Sequence, residues 1–404
     1  MRGKLDPALV IIVAGISAAL HIGKLPPALP VLREAFHLSL VQAGFLLSLV
    51  QFAGMTLGLA IGAAGDSIGP RRTMVLGLVI LSGASFAGGA AHGVALLMAL
   101  RAIEGVGFLL AVLPAPGLIR SLVEPKRLSA MLGVWSTFMP FGTATALLVG
   151  PACIAVAGWP GWWWLLAALS LLMAVVVWLV VPPAANARGP RAPGEAGRVA
   201  RTLRAKGALL AAFAFAAYSF QWLAVVGFLP TIYAQSGLPT AYAAVATALA
   251  AAVNIIGNVA SGRLLQRGVP APILLHAGHV AMLLGAMVAF AGWTDVALLR
   301  YAGVLLFSMV GGLIPGTLFS LGVRVAPDES TVSTTVGWMM QLSALGQFAG
   351  PPIAAWAAAR AGGWHAIWWV TGTMAVVGMV IAHAISRFLV GHPQRAAALQ
   401  QSRP

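Results

Sequence analysis

The chain has 404 residues, of which 60% are hydrophobic and only 8% are charged. This composition excludes an ordinary soluble domain, in which about a quarter of the residues are charged. The formal net charge is +15, and in a membrane protein its meaning depends on which loops carry it. The single cysteine, Cys153, excludes an internal disulfide and argues against a cysteine metal cluster.

The apolar residues fall into twelve long blocks, each near the ~20 residues that a helix needs to cross a bilayer. We therefore predict an all-α integral membrane protein with twelve transmembrane helices. If both termini lie in the cytoplasm, nineteen of the 24 lysines and arginines fall in cytoplasmic segments, two in outer loops and three inside helices. Because cytoplasmic loops are enriched in basic residues, this distribution predicts a multi-pass protein of the inner (plasma) membrane, with both termini inside and an uncleaved first helix.

The first predicted helix, Pro7–Leu32, carries a histidine and a lysine in an otherwise apolar run. His21 and Lys24 are three positions apart and share one helix face. Nothing near Lys24 in the sequence can neutralise it, so we predict a functional charge. The alternatives are that Lys24 extends to the outer interface and that His21 packs against a helix and bonds a backbone carbonyl. Gln51 is a polar residue of the second helix.

The loop after the second predicted helix has a glycine, an aspartate four positions later, another glycine and a basic pair. Glycines permit a tight turn, and the aspartate can cap a helix or pair with arginines. The residues of this loop motif are Gly62, Asp66, Gly69, Arg71 and Arg72.

The fourth predicted helix, Val94–Ile119, contains Arg101 and Glu104. Their spacing of three allows an ion pair, which lowers the cost of holding both charges in the membrane. Alternatively, Glu104 takes up and releases a proton during a coupled cycle. The sequence leaves both interpretations open.

Residues 182–206 change abruptly to proline, alanine, glycine and arginine, with six basic residues against Glu195. We interpret this segment as a solvated cytoplasmic linker near anionic lipid headgroups, rather than a nucleic-acid site. It separates an N-terminal six-helix bundle, residues 1–181, from a C-terminal six-helix bundle, residues 207–389, which is followed by a cytoplasmic tail, residues 390–404.

The two halves repeat one another in sequence. Gly23–Pro26 recurs 204 positions later as Gly227–Pro230, with phenylalanine in place of Lys24. Gly150–Pro151 recurs 200 positions later as Gly350–Pro351. Duplicated, pseudo-symmetric halves are typical of secondary transporters, which hold their substrate near the midplane of the membrane.

The loop motif, the fourth-helix pattern Arg101-x-x-x-Gly105-x-Gly107, the basic linker and the repeat resemble the major facilitator superfamily over nearly the whole chain. Within it, the stretches 218–230 and 262–268 resemble the branch named after cyanate and 2-nitroimidazole porters. The resemblance implies that the loop motif governs gating and that helices 1, 4, 7 and 10 line the substrate cavity, with contributions from helices 2, 5, 8 and 11. The implied substrate-binding residues are His21, Lys24, Gln51, Arg101, Tyr218, Gln221, Trp222, Asn254, Asn258, Arg300, Trp338 and Gln341, with Glu104 as the candidate for proton coupling.

This lining has three positive charges against the one negative charge of Glu104, and a partly desolvated cavity with that balance favours an anion. We predict a secondary active transporter that moves a small organic or inorganic anion by alternating access, with Lys24 as the main charge anchor. The alternative is a proton-coupled exporter of neutral or hydrophobic compounds, in which Glu104 is the proton site and Lys24 is structural.

Two further classes fit the sequence less well. A non-transporting sensor or scaffold needs a soluble output domain, and a membrane enzyme needs a nucleophile with its base or a metal cluster; neither is visible. The expected partners are a small-molecule substrate, with or without a coupling proton, and the lipid bilayer. We expect no cofactor, metal or nucleic acid, and a monomeric protein.

Overall fold

The computed structural model describes residues 6–58, 69–183, 195–328 and 331–391. Within these ranges the regular structure is entirely helical, which confirms the all-α prediction.

The helices of the N-terminal part follow the predicted spans. After Ser48 the chain continues through the 3-10 turn Leu49–Gln51 and stays helical to Gly58. The bounds are α1 (Pro7–Gly23), α2 (Leu25–Ala35), α3 (Leu40–Ser48), α4 (Pro70–Gly89), α5 (Val94–Val112), α6 (Ala115–Leu122), α7 (Pro125–Trp135) and α8 (Phe138–Val180).

The C-terminal part begins with a helix that we did not predict, because its segment lies inside the basic linker. This helix, α9 (Glu195–Arg204), precedes the second set of spans. The further bounds are α10 (Lys206–Val226), α11 (Leu229–Gln235), α12 (Thr240–Ala252), α13 (Asn254–Gln266), α14 (Ala271–Phe290), α15 (Ala297–Gly311), α16 (Leu313–Val325), α17 (Val332–Ala361) and α18 (Ile367–Val390).

The predicted number of spans is confirmed. Among the described residues, ten helical stretches are long and apolar enough to cross a membrane. One of them, Met131–Val180, has 50 residues and is interrupted at Gly158, whose φ of 69° is left-handed, so it supplies two spans. The 30-residue helix α17 supplies the twelfth.

The repeated Gly-x-Leu-Pro segments both interrupt a membrane helix. α1 ends at Gly23 and α2 begins at Leu25, while α10 ends at Val226 and α11 begins at Leu229. A proline has no N–H to donate to the carbonyl four residues earlier, so the helix loses backbone bonds at each segment. These breaks leave main-chain carbonyls available to side chains inside the membrane.

The chain divides into two compact units. The first comprises residues 1–191 and 226–252, and the second comprises residues 192–225 and 253–404. In the first unit α1 and α4 pack against α8, and α4 also packs against α5. In the same unit α11 packs against α2, and α12 packs against α8. In the second unit α14 packs against α15 and α18, and α13 packs against α15 and α16.

Glycines bring α5 close to its neighbours in the first unit. A Cβ at Gly105 would meet the carbonyl oxygen of Val50, and a Cβ at Gly107 would lie 2.6 Å from the backbone nitrogen of Leu81. The two glycines of the fourth-helix pattern therefore permit close backbone contact, and this contact fixes the position of Arg101 and Glu104 on the same helix.

We expect Gly105→Ala to lower the thermal stability of the detergent-solubilised protein. The added methyl group overlaps backbone atoms, and overpacking of this kind costs about 1–3 kcal/mol. Gly83→Ala is the matched control, because it changes a mid-helix glycine that has no atom within 4 Å of the new Cβ. There the helix preference for alanine should leave stability unchanged or slightly raised. Equal melting temperatures for the two variants would contradict the close packing at Gly105.

Candidate functional site

A cluster of polar and charged side chains lies inside the first unit, at the break between α1 and α2. Lys24 occupies the break itself, and α5 supplies Arg101 and Glu104. Each of these three side chains is at most 2% exposed. We call the set of Lys24, Arg101, Glu104 and His21 the charged cluster.

Glu104 is the centre of the charged cluster. Lys24 Nζ donates to Glu104 Oε1, and Arg101 Nη1 donates to Glu104 Oε2 at 2.6 Å. The predicted pair of Arg101 with Glu104 is therefore confirmed. The expectation that Lys24 lacks a neutralising partner was wrong, because its partner comes from a helix 80 positions later. Extension of Lys24 to the outer interface is also ruled out by its complete burial.

Further contacts fix the ammonium group of Lys24. Its Nζ donates to Ser85 Oγ at 2.9 Å and lies 4.5 Å from the ring centre of Trp163, within the range of a cation–π interaction. His21 Nδ1 is 3.3 Å from the same nitrogen, and His21 Nε2 bonds Ser170 Oγ at 2.8 Å. The lysine is thus held on several sides by one helix bundle.

The sequence pattern does not reveal Ser85, Ser170 and Trp163 as contacts of the charged cluster. A serine in an apolar span usually bonds a carbonyl of its own helix. Ser85 Oγ instead donates to the carbonyl of Trp163 on a different helix, at 3.0 Å. Only tertiary packing separates these two situations, so sequence spacing could not have identified these residues.

Side chains also bond the backbone at the helix break. Arg101 Nη1 donates to the His21 carbonyl at 2.6 Å, and Trp162 Nε1 donates to the Lys24 carbonyl at 3.1 Å. The His21 carbonyl at the helix break is therefore bonded by the same arginine that pairs with Glu104.

One edge of the Arg101 guanidinium has no acceptor within the described part of the chain. Its Nε and Nη2 are buried, and neither has a hydrogen-bond partner among the described residues. These two nitrogens form the side-on edge that binds a carboxylate through two parallel bonds. Counting Lys24 as charged and His21 as neutral, the charged cluster holds two cations and one anion and has a formal net charge of +1.

A second polar cluster lies inside the second unit and is uncharged. Asn254 Nδ2 donates to Tyr218 Oη at 3.0 Å and to the Ser308 carbonyl at 2.8 Å. Asn258 Nδ2 donates to Asn254 Oδ1 at 2.9 Å, and Trp222 Nε1 donates to Ser308 Oγ at 3.4 Å. The structure thus brings together four of the predicted lining residues: Tyr218, Trp222, Asn254 and Asn258.

The other predicted lining residues lie outside these two clusters. Gln51 is buried in the 3-10 turn after α3, and the Gln221 amide donates to the Ala217 carbonyl at 2.9 Å. Trp338 and Gln341 are half-buried on α17. Arg300 is exposed and its Nε donates to the Ala289 carbonyl at 2.9 Å, so its charge does not belong to either cluster.

The loop motif is only partly described. Gly62 and Asp66 lie outside the described residues. Gly69 has a φ of 93° directly before α4. Arg71 Nη2 donates to the Trp178 carbonyl at 2.6 Å, and its guanidinium carbon lies 4.3 Å from the Trp178 ring centre, while Arg72 is exposed. Arg71 therefore joins the start of α4 to the end of α8.

The sequence and fold have counterparts among known proteins. The Major Facilitator Superfamily model matches residues 8–345. A chloramphenicol resistance protein of Streptomyces lividans is 27% identical over 81% of this chain and 83% of its own. A hexuronate transporter of Bacillus subtilis is 22% identical over 97% of both chains. The crystal structure of a bacterial homolog of the human lysosomal transporter Spinster, in an inward-facing and occupied conformation, covers 94% of this chain and 96% of its own, with a TM-score of 0.78 and 16% identity.

We expect Glu104→Gln to be the most destabilising change in the charged cluster. It leaves Lys24 and Arg101 buried without a counter-charge, and breaking a buried pair in this way costs about 3–5 kcal/mol. Lys24→Met should cost less, since Arg101 still pairs with Glu104. In the Glu104→Gln background, Lys24→Met should restore part of the stability. The midpoint of SDS-induced unfolding in mixed micelles measures each variant.

The exposed pair of Arg201 Nη1 and Asp328 Oδ2, at 2.9 Å, is the matched control for this double-mutant cycle. An exposed ion pair contributes about 0–1 kcal/mol, so the coupling energy of Arg201→Gln with Asp328→Asn should be small. Additive effects of Lys24→Met and Glu104→Gln would show that the two buried side chains do not depend on each other.

Proposed function

The chain belongs to the major facilitator superfamily, so it is a transporter and not an enzyme, and we propose that it is a secondary active transporter of small organic anions. Its substrate carries a carboxylate that binds the side-on edge of Arg101. The proposal includes alternating access in the inner membrane, with both termini in the cytoplasm, and a monomeric protein.

The observation that carries this proposal is the pair of unbonded N–H groups on Arg101 in a cluster with one excess cation. Buried donors without an acceptor cost about 1–3 kcal/mol each, and an excess buried charge strongly favours a counter-ion. A monovalent carboxylate supplies both the two acceptors and the missing negative charge. A monatomic inorganic anion meets the charge requirement but offers one acceptor atom to the two-donor edge, whereas an oxyanion such as phosphate can bind both donors.

The bonds that Lys24 already makes change the role that we assign to it. The sequence alone suggested Lys24 as the main anchor, but its Nζ is already bonded to Glu104 and Ser85. We infer that Arg101 contacts the substrate directly and that Lys24 holds Glu104 in position. A substrate that binds Arg101 more tightly in one access state than in the other then shifts the population toward that state.

The names of the relatives divide between the two substrate classes. The hexuronate transporter is named for a sugar acid, which is a carboxylate, and this agrees with the proposal. The stretches 218–230 and 262–268 still suggest the cyanate and 2-nitroimidazole porter branch, which we keep as part of the proposal.

A proton-coupled exporter of neutral or hydrophobic compounds is the second candidate. It is favoured by the chloramphenicol resistance protein, whose name refers to resistance to a neutral compound. In this candidate Glu104 accepts a proton and must release at least one of its two cations, because both of its oxygens are bonded. Transport would then respond to an imposed pH gradient.

We expect short monocarboxylates and hexuronates to raise the melting temperature of the purified protein, and their neutral amides to leave it unchanged. A ligand at ~100 times its dissociation constant stabilises the folded state by about 2.7 kcal/mol, which a thermal-shift assay detects. Arg101→Lys keeps the charge but removes the side-on edge, so the apparent Kd for the carboxylates should rise at least about tenfold.

Arg300→Lys is the matched control, because Arg300 is exposed and lies outside the charged cluster. If Arg101→Lys does not fold, inhibition of uptake into proteoliposomes by carboxylates but not by amides provides the same comparison on the wild type. Stabilisation by chloramphenicol but by no carboxylate, together with uptake driven by a pH gradient, would overturn the anion proposal in favour of the exporter.

A further inference from the structure

We propose a second ligand site, for the phosphate group of an anionic phospholipid, in a notch on the second compact unit. This inference is independent of the transported substrate, because it concerns one end of the membrane spans and not the charged cluster. The notch has a volume of about 360 Å³. Six of its lining residues carry the inference: Arg201, Arg204, Lys206, Val325, Pro327 and Phe388.

The basic wall of the notch is built by α9. This helix packs against α17, with Thr202 fully buried and Leu203 half-buried. Arg201 and Arg204 are three positions apart, so they share one face of the helix, and both are exposed. Lys206 begins α10 directly afterwards and is also exposed.

Among the described residues, two of these three cations have no acidic partner. Arg201 Nη1 is held by Asp328 Oδ2 at 2.9 Å, and Asp328 is itself fixed because its backbone nitrogen donates to Thr331 Oγ1 at 3.0 Å. Arg204 and Lys206 form no ion pair within the described part of the chain. The notch therefore presents two uncompensated cations to a negatively charged group.

Other lining residues of the notch are apolar. Val325 is 1% exposed at the end of α16, and Phe388 lies near the end of α18. A Cβ at Gly207 would be 2.7 Å from Phe388 Cε1, so the phenylalanine ring covers the start of α10. A ligand in the notch thus meets both cations and hydrocarbon.

This combination fits a phospholipid better than a soluble phosphate. The notch lies where spans begin and end: Lys206 is the first residue of one candidate span, and Phe388 is near the end of another. It is also the end that the distribution of basic residues predicts to face the cytoplasm. Basic pockets at this level of the membrane bind the headgroups of anionic lipids, while the apolar lining residues accommodate the glycerol and the upper acyl chain.

The test compares the wild type with variants of the full chain. Lipid binding is measured in nanodiscs and by native mass spectrometry. Each Lys or Arg near the membrane surface contributes ~1 kcal/mol toward an anionic lipid. The double variant Arg204→Gln/Lys206→Gln should therefore bind phosphatidylglycerol about 30-fold more weakly, which corresponds to ~2 kcal/mol at tenfold per 1.4 kcal/mol. Wild type should retain phosphatidylglycerol in preference to phosphatidylcholine, and 0.5 M NaCl should reduce that preference through screening.

The control variant is Arg263→Gln/Arg267→Gln, which removes the same charge from exposed positions at the end of α13, outside the notch. Its phosphatidylglycerol affinity should stay within about threefold of wild type. Equal losses in both double variants would overturn the site in favour of a diffuse surface charge. Equal retention of phosphatidylcholine would also overturn it. Thermal stabilisation by inorganic phosphate as large as that by phosphatidylglycerol would assign the notch to a soluble phosphate and reject the lipid.

Discussion

The pairing of the Glu104 carboxylate with Lys24 and Arg101 is the interaction on which the first unit depends. Three buried charges within a membrane span are costly unless each has a partner and additional hydrogen bonds. The structure supplies these through Ser85, the His21 carbonyl and the Trp163 ring. The glycines of α5 are part of the same arrangement, because Gly107 brings the helix that carries Arg101 and Glu104 close to α4, which supplies Ser85.

The repeated Gly-x-Leu-Pro segments show how one backbone feature serves two chemistries. Both copies break a membrane helix, but the first carries Lys24 and the second carries the fully buried Phe228. Among the described residues, the buried ion pairs therefore lie in the cluster of the first unit, whereas amides and hydroxyls satisfy the polar cluster of the second. Neutral pairs can exchange partners at a lower electrostatic cost than buried ions.

Much of the fold could be predicted from sequence, because apolar length determines the spans and basic residues mark the loops. The pair of Arg101 with Glu104 was also predictable, since both residues lie on one helix at a spacing of three. The bond between Lys24 and Glu104 was not, because it joins helices 80 positions apart and depends on packing. Arg300, which the family resemblance placed in the cavity lining, is exposed, and its Nε donates to the Ala289 carbonyl near the end of α14, a contact that sequence spacing does not predict. The helix α9 was not predicted, because the proline, glycine and arginine content of the linker is typical of an irregular segment and its apolar face is short.

The excess positive charge of the cluster has a consequence for the response of the protein to the membrane potential. A charge moved across the whole membrane changes its energy by about 2.3 kcal/mol per 100 mV. The unloaded cluster carries +1 and feels this field whenever it is displaced along the membrane normal. Binding of a monovalent anion cancels the charge, so the loaded cluster is insensitive to the field. Voltage would then act mainly on the return of the empty protein, and the two halves of the cycle would differ in their electrogenicity.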